Sequence, residues 1–150
     1  AWATAMQQAY VTRFATMGDV DESRDPTSTT HLTVIDGEGN IVCFTQTLLS
    51  ACGSKVVLPE TGILMNNGIF WFDPRPGLPN SLGAGKRPLS NMCPVIVTAD
   101  DKPWFALGGS GGRKIMSAVM QISSMVIDCG IDFESAFHQP IIVSIGDNKH

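Results

Sequence analysis

Apolar positions recur along this chain with two different periods, and the change from one to the other divides it into elements. Over residues 1–17, Ala1, Ala5 and Ala9 with Met6, Tyr10, Arg13, Phe14 and Met17 fall at helical spacing, which predicts an amphipathic helix stopped by Gly18. Asp25-Pro26 and the polar pair Thr27-Ser28 then bring the chain to Thr29 in an extended conformation. Leu32 and Val34 precede the run Asp36-Gly37-Glu38-Gly39-Asn40, and Ile41, Phe44 and Leu48 follow it. This pattern predicts a hairpin with positive φ at its glycines. Val56–Leu58 and Gly62–Met65 are short apolar segments that end at the turn-forming pair Asn66-Asn67. Residues 67–88 carry Gly68, Pro74, Pro76, Gly77, Pro79, Gly83, Gly85 and Pro88, too many breakers for regular structure. Their Phe70, Trp71 and Phe72 point either to a cover over a site or to a plug at the core edge. Pro94–Thr98 and Trp104–Leu107 read as two strands around a turn at residues 99–103. Directly after Gly108-Gly109-Ser110-Gly111-Gly112 comes a helix with Ile115, Val119, Ile122 and Val126 on one face, closed by Gly130.

Composition narrows the class. With 150 residues, 43% hydrophobic and 16% charged, the chain can bury one core. A net charge of −4, with no Lys/Arg cluster larger than a pair, argues against a nucleic-acid surface. No apolar run reaches the ~18 residues of a membrane span, so no span is expected. The chain begins at Ala1 and enters a helical pattern at once, which reads as a piece of a longer protein with no leader visible. Cys43, Cys52, Cys93 and Cys129 have neither CxxC nor His/Cys spacing, so no metal site and no cofactor are expected. Free, buried thiols are the expectation, with a lean towards a reducing, cytoplasmic compartment.

Two stretches carry candidate chemistry. A Thr that becomes a chain terminus has, on one residue, a hydroxyl nucleophile and an α-amine with an ordinary pKa of roughly 7.7 to 8. That amine can serve as the base, so Thr29 would be activated by a cut after Ser28. The bland reading of Thr29-Thr30 is a pair of good strand formers. The glycine run offers the second stretch: a strand, a glycine cluster and a helix start expose backbone N–H groups at the positive end of a helix dipole. Its spacing matches neither GxGxxG nor the P-loop, and an oxyanion hole fits better than a phosphate cradle. Tight strand-to-helix packing is the alternative.

Thr29-Thr30-His31-x-Thr33-Val34, Gly39-Asn40-x-Val42, Thr45-x-Thr47-Leu48 and Gly53 together resemble the start of the small subunit of the γ-glutamyltranspeptidase family. Glu60 to Asn67, Lys86 to Met92 and Gly109-Ser110-Gly111-Gly112 agree with it in order. The resemblance implies an N-terminal-nucleophile hydrolase of α+β class, an αββα four-layer sandwich. This chain would hold its small-subunit half at residues 29–150 and, at 1–28, the end of the large-subunit region with a linker. It implies a precursor that cleaves itself before Thr29, the nucleophile, with Thr47 orienting it. Gly111 and Gly112 would supply oxyanion N–H groups, and Asn67, Ser90 and Asn91 would line the substrate pocket. His31 is expected to be structural. The implied activity passes an acyl group from a small γ-glutamyl amide to water or to an amine, as in glutathione metabolism. The large-subunit half of the same precursor is the implied partner, since this piece alone leaves a sheet face or edge uncovered. For the family a periplasmic or secreted location stays open.

Departures from the family pattern bear on substrate. Leu49 stands where the family carries Asn, and Cys52 replaces an aromatic. Gly68 and Trp71 replace the Gln and Asp that grip the amino-acid end, and Asn91 replaces the second Ser of a Leu-Ser-Ser run. Without that carboxylate a substrate ammonium is poorly compensated. Two alternatives therefore stand beside the transferase reading: an amidohydrolase or acylase for another small amide, oxamate-like or a β-lactam side chain, and a catalytically silent binding or structural domain.

Overall fold

The computed structural model describes residues 28–143 together with 4, 5, 7, 8, 11 and 12. Those six N-terminal positions are helical, as expected, while Ala1, Met6, Ala9, Tyr10, Arg13, Phe14, Met17 and Gly18 lie outside the described residues. In order, the elements are β1 (Thr29–Ile35), β2 (Ile41–Thr47), a 3-10 turn (Gly68–Trp71), β3 (Val95–Ala99), β4 (Lys102–Leu107), α1 (Lys114–Ile127) and α2 (Phe133–Phe137). The architecture is mixed α/β, with β1 paired to β2 and β3 to β4. The chain divides into two compact units, one of residues 1–29, 47–90 and 146–150, the other of 30–46 and 91–145.

The second unit holds most of the apolar core. Phe105 and Leu107 of β4 are buried, as are Ile115, Val119, Ile122, Met125 and Val126 of α1, the helical face that periodicity predicts. The Phe105 ring meets Phe133 of α2 edge to face, with centroids 4.9 Å apart. β3 keeps its expected five residues but starts and ends one position later, and β4 begins two residues earlier than expected, because only Asp100 and Asp101 form the turn, with φ of +48° and +60°. Asp tolerates the left-handed region, and two such residues match the twist of a tight hairpin. Val97 pairs with Phe105 and Thr98 with Pro103, so Trp104 is an extra, bulged residue beside a proline that has no N–H to offer. α1 ends in a wrap-back bond from the Ile131 N–H to the Met125 carbonyl (3.0 Å), which Gly130 permits with φ +66°. Gln121, 1% exposed, donates to the Ser117 and Ile142 carbonyls and accepts from the Ile142 N–H (3.0 Å), tying the chain after α2 to the helix.

The β1–β2 turn needs less glycine than its sequence offers. Only Gly39 has positive φ (+86°). The Asp36 carboxylate accepts from the N–H groups of Glu38 and Asn40 and from the Asn40 side-chain amide, closing the turn. These bonds, the Asn40 amide first, hold the Asp36 carboxyl below its ordinary pKa. The hairpin's half-buried face is the chemical one, with His31 on β1 and Cys43 and Thr45 on β2, while Leu32, Val34, Val42 and Phe44 are exposed.

In the first unit the two short apolar segments pair through Val57 and Leu64, with the Leu58 N–H on the Ile63 carbonyl (2.9 Å). The long loop opens with one 3-10 turn, which its glycine and proline content did not predict. Of its three aromatics Phe70 stays 54% exposed while Trp71 and Phe72 are half-buried, so they form no fully buried plug, one of the two readings offered above. The buried members are instead Asp73, Asn80 and Ser81. Asn80 donates to the Trp71 carbonyl (2.6 Å) and accepts from the Leu89 N–H (3.0 Å), so a polar lattice closes this loop on itself. The Arg75 guanidinium and N–H on Asp73 hold that carboxyl at about 2.

Candidate active site

Thr29 opens β1 and Thr47 closes β2, so antiparallel pairing brings them side by side, and both belong to the first unit. The Thr29 hydroxyl donates to the Thr47 hydroxyl oxygen at 3.1 Å. That oxygen also accepts from the Leu49 N–H at 3.0 Å, so both of its lone pairs are engaged. Leu49 has φ +73°, an uncommon conformation for a branched residue, at the position where the motif reading expects Asn. The peptide bond ahead of Thr29 is also held: the Ser28 carbonyl faces the Leu48 N–H (3.5 Å), and the Ser28 hydroxyl donates to the Ser50 carbonyl (3.2 Å).

Asn67 joins this cluster through its backbone. Its N–H donates to the Leu48 carbonyl (3.2 Å) and its side-chain amide to the Ser50 hydroxyl (2.7 Å). The Asn67 Oδ1 is buried and has no hydrogen-bond partner, which leaves an acceptor open to a donor from a bound molecule. Beside it lies a cavity of about 560 Å³ lined by Ser50, Ser54, Lys55, Asn66, Asn67 and Phe70 among others. Gly53 is buried at its edge with φ +51°, where a Cβ would overlap the Met65 carbonyl. Ser50, Ser54 and Lys55 are among the lining residues that sequence reasoning missed, because none belongs to a spacing that marks chemistry. Ser90 lies half-buried in this unit, and Asn91 lies in the second.

Gly111 and Gly112 lie in the second unit, at φ +136° and +58°, values that favour glycine. Their carbonyls accept from the N–H groups of Lys114 and Ile115, both at 3.2 Å, so they tie off the first turn of α1. Among the described residues, neither glycine's own N–H meets an acceptor.

Cys43, Cys52, Cys93 and Cys129 are free. Cys43 and Cys93 are half-buried, but Cys52 and Cys129 are exposed, against the expectation of burial. Burial, and then the nearby Cys43, push the Cys93 thiol up. Among the described residues, no group of three or more His, Cys, Asp and Glu stands together as a metal site would require. No helix among them is long and apolar enough to cross a membrane.

The family model for gamma-glutamyltranspeptidase matches residues 3–146. The glutathione hydrolase proenzyme of Escherichia coli (strain K12) is 33% identical over 162 residues, covering 93% of this chain and 28% of that protein. The counterpart from Bacillus subtilis (strain 168) is 40% identical over 114 residues, covering 76% and 19%. The chain thus spans under a third of the length of these relatives. Among solved structures, the gamma-glutamyltranspeptidase of Pseudomonas nitroreducens complexed with L-DON superposes with a TM-score of 0.62 at 35% identity, covering 71% of this chain and 61% of that one. Matched along nearly its whole length in sequence and over most of it in fold, the chain belongs to the gamma-glutamyltranspeptidase family.

Proposed function

We propose that this chain carries the nucleophile of a γ-glutamyltransferase-like amidohydrolase, with Thr29 as the catalytic residue. The observation that carries the reading is the 3.1 Å bond from the Thr29 hydroxyl to Thr47, beside a Ser28 carbonyl facing the Leu48 N–H. In the precursor, Thr29 Oγ1 attacks the Ser28 carbonyl carbon and the C–N bond breaks. The acyl group passes from nitrogen to oxygen as an ester, and water hydrolyses it to leave Thr29 with a free α-amine. That amine then takes the hydroxyl proton as Oγ1 attacks the substrate amide carbonyl. Gly111 and Gly112 N–H groups stabilise the oxyanion, a role worth about 3 to 4 kcal/mol per donor. The leaving amine departs with a proton, and water or an amine acceptor releases the acyl group from the Thr29 ester.

On this reading residues 1–28 end the large-subunit region and 29–150 form the small-subunit region of an αββα sandwich. The large-subunit half of the same precursor is the partner. The exposed Leu32, Val34, Val42 and Phe44 support a covering layer on that side of the hairpin. Asn67, Ser90 and Asn91 contact a small amide of the γ-glutamyl class, with the unpartnered Asn67 Oδ1 as one acceptor.

Intact-mass analysis of the full-length protein tests this reading. A fragment beginning at Thr29 is expected, together with turnover of a γ-glutamyl anilide, and Thr29→Ala is expected to abolish both. Self-cleavage at that bond in Thr29→Ala would remove Thr29 from the role. A precursor that never cleaves would favour a silent binding domain.

A further inference from the structure

His31 takes no part in the chemistry proposed above, yet three side chains of the hairpin hold its imidazole. Its Nδ1 lies 2.7 Å from the Thr45 hydroxyl, and its Nε2 lies 3.2 Å from the Thr33 hydroxyl and 3.6 Å from Cys43 Sγ. Both ring nitrogens are therefore engaged, which fixes the plane of the imidazole. Cys43 Sγ in turn lies 3.4 Å from the carbonyls of Val95 and Leu107, the residues paired at the open end of β3–β4. The next residue is Gly108, and its backbone rests on the imidazole. A Cβ built there would overlap Cε1 and Nδ1 and stand 2.7 Å from Nε2. All of these residues lie in the second unit.

A run with four glycines in five residues has little conformational restraint of its own. At its far end the Lys114 and Ile115 N–H groups hold it through the Gly111 and Gly112 carbonyls. At its near end the flat face of His31 limits Gly108. We propose that His31 is a positioning residue that sets the glycine run 108–112, and through it the Gly111 and Gly112 amides, in register for the oxyanion. The inference rests on the proposed function. It gives a reason for a His in the motif that is neither base nor ligand.

The test is a double-mutant cycle in the intact, self-processed protein, reading kcat and KM on a γ-glutamyl anilide alongside the thermal midpoint. His31→Ala is expected to lower kcat about 10- to 100-fold with KM within about threefold, because donors misplaced by ~1 Å lose transition-state more than ground-state interactions. Gly108→Ala is expected to lower kcat at least as far. The double variant is expected to match His31→Ala within about threefold, since the new methyl enters the space the ring has left. If His31→Ala yields no folded protein, His31→Asn takes its place, keeping a polar partner for Thr45 while clearing Gly108, with the same recovery expected. Penalties that multiply in the double variant, or a kcat unchanged by removal of the ring, would overturn the assignment. Thr29→Ala separates the two levels: if it still processes and turns over, the proposed function fails. If it is inactive while the His31–Gly108 penalties multiply, only the role of His31 fails.

Discussion

Replacing Thr47 by Val deletes one hydroxyl and keeps a side chain of the same outline on a strand that favours β-branched residues, so the hairpin itself is expected to persist. Two bonds disappear: the one accepted from Thr29 (3.1 Å) and the one accepted from the Leu49 N–H (3.0 Å). Thr47 is half-buried, so water can replace part of each. A net hydrogen bond is worth about 1 kcal/mol, and the Thr29 side chain also regains up to three staggered wells, about 0.6 kcal/mol at room temperature. The sum on the reactive rotamer is about 1.5 to 2 kcal/mol, which corresponds to about 10- to 30-fold in rate. The assay follows the appearance of the Thr29 terminus by intact mass over time and then measures kcat on the processed enzyme. Both rates are expected to fall within that range for Thr47→Val and to be largely restored in Thr47→Ser. Cleavage by Thr47→Val within twofold of the parent would mean that the contact orients nothing.

Other features give independent outcomes. Gln121→Leu leaves both backbone groups of Ile142 without their partner, and a loss of about 2 to 3 kcal/mol in urea unfolding is expected, with faster amide exchange at Ile142. The Asp73 carboxyl is held at about 2 against an ordinary value of 3.8, so its contribution is in place above about pH 4 and disappears as pH falls through about 2. Amide exchange at Arg75 and Leu82 is expected to accelerate across that window, and Asp73→Asn is expected to remove the pH dependence. Gly53→Ala forces a left-handed residue against the Met65 carbonyl, and a loss of at least about 1 to 3 kcal/mol in thermal unfolding is expected. Gly37→Ala meets nothing within 4 Å and is expected to stay within about 0.5 kcal/mol.

The parts of this chain legible in advance are those where a side-chain period or a motif coincides with a backbone event. The face Ile115, Val119, Ile122 and Val126 marked α1 because one helix buries it as a stripe. Thr29 and Thr47 could be placed together because a hairpin converts motif spacing into a pair. The Phe133–Phe137 helix was missed because five residues are too few to display a period, and its start rests on Asp132 accepting from the Ser135 N–H. The polar interior of the 73–82 loop was also hidden. Prolines and glycines announce irregularity, but which Asp or Asn turns inward depends on backbone groups that become neighbours only after folding. The same holds for Gly108: its need to lack a side chain is imposed by His31, 77 positions earlier.

Trp104 shows how much one supernumerary residue can decide. The Asp100-Asp101 turn sets the pairing of Ala99 with Lys102 and of Thr98 with Pro103. Continued without interruption, that ladder would match Val97 to Trp104 and Val95 to Ala106. The odd residue changes the parity of the strand, so Phe105 and Leu107 enter the interior and Trp104 remains half in water. Excising Trp104 would therefore do more than shorten a strand: it would exchange the strand's two sides and send the chain into Gly108 from the opposite pleat.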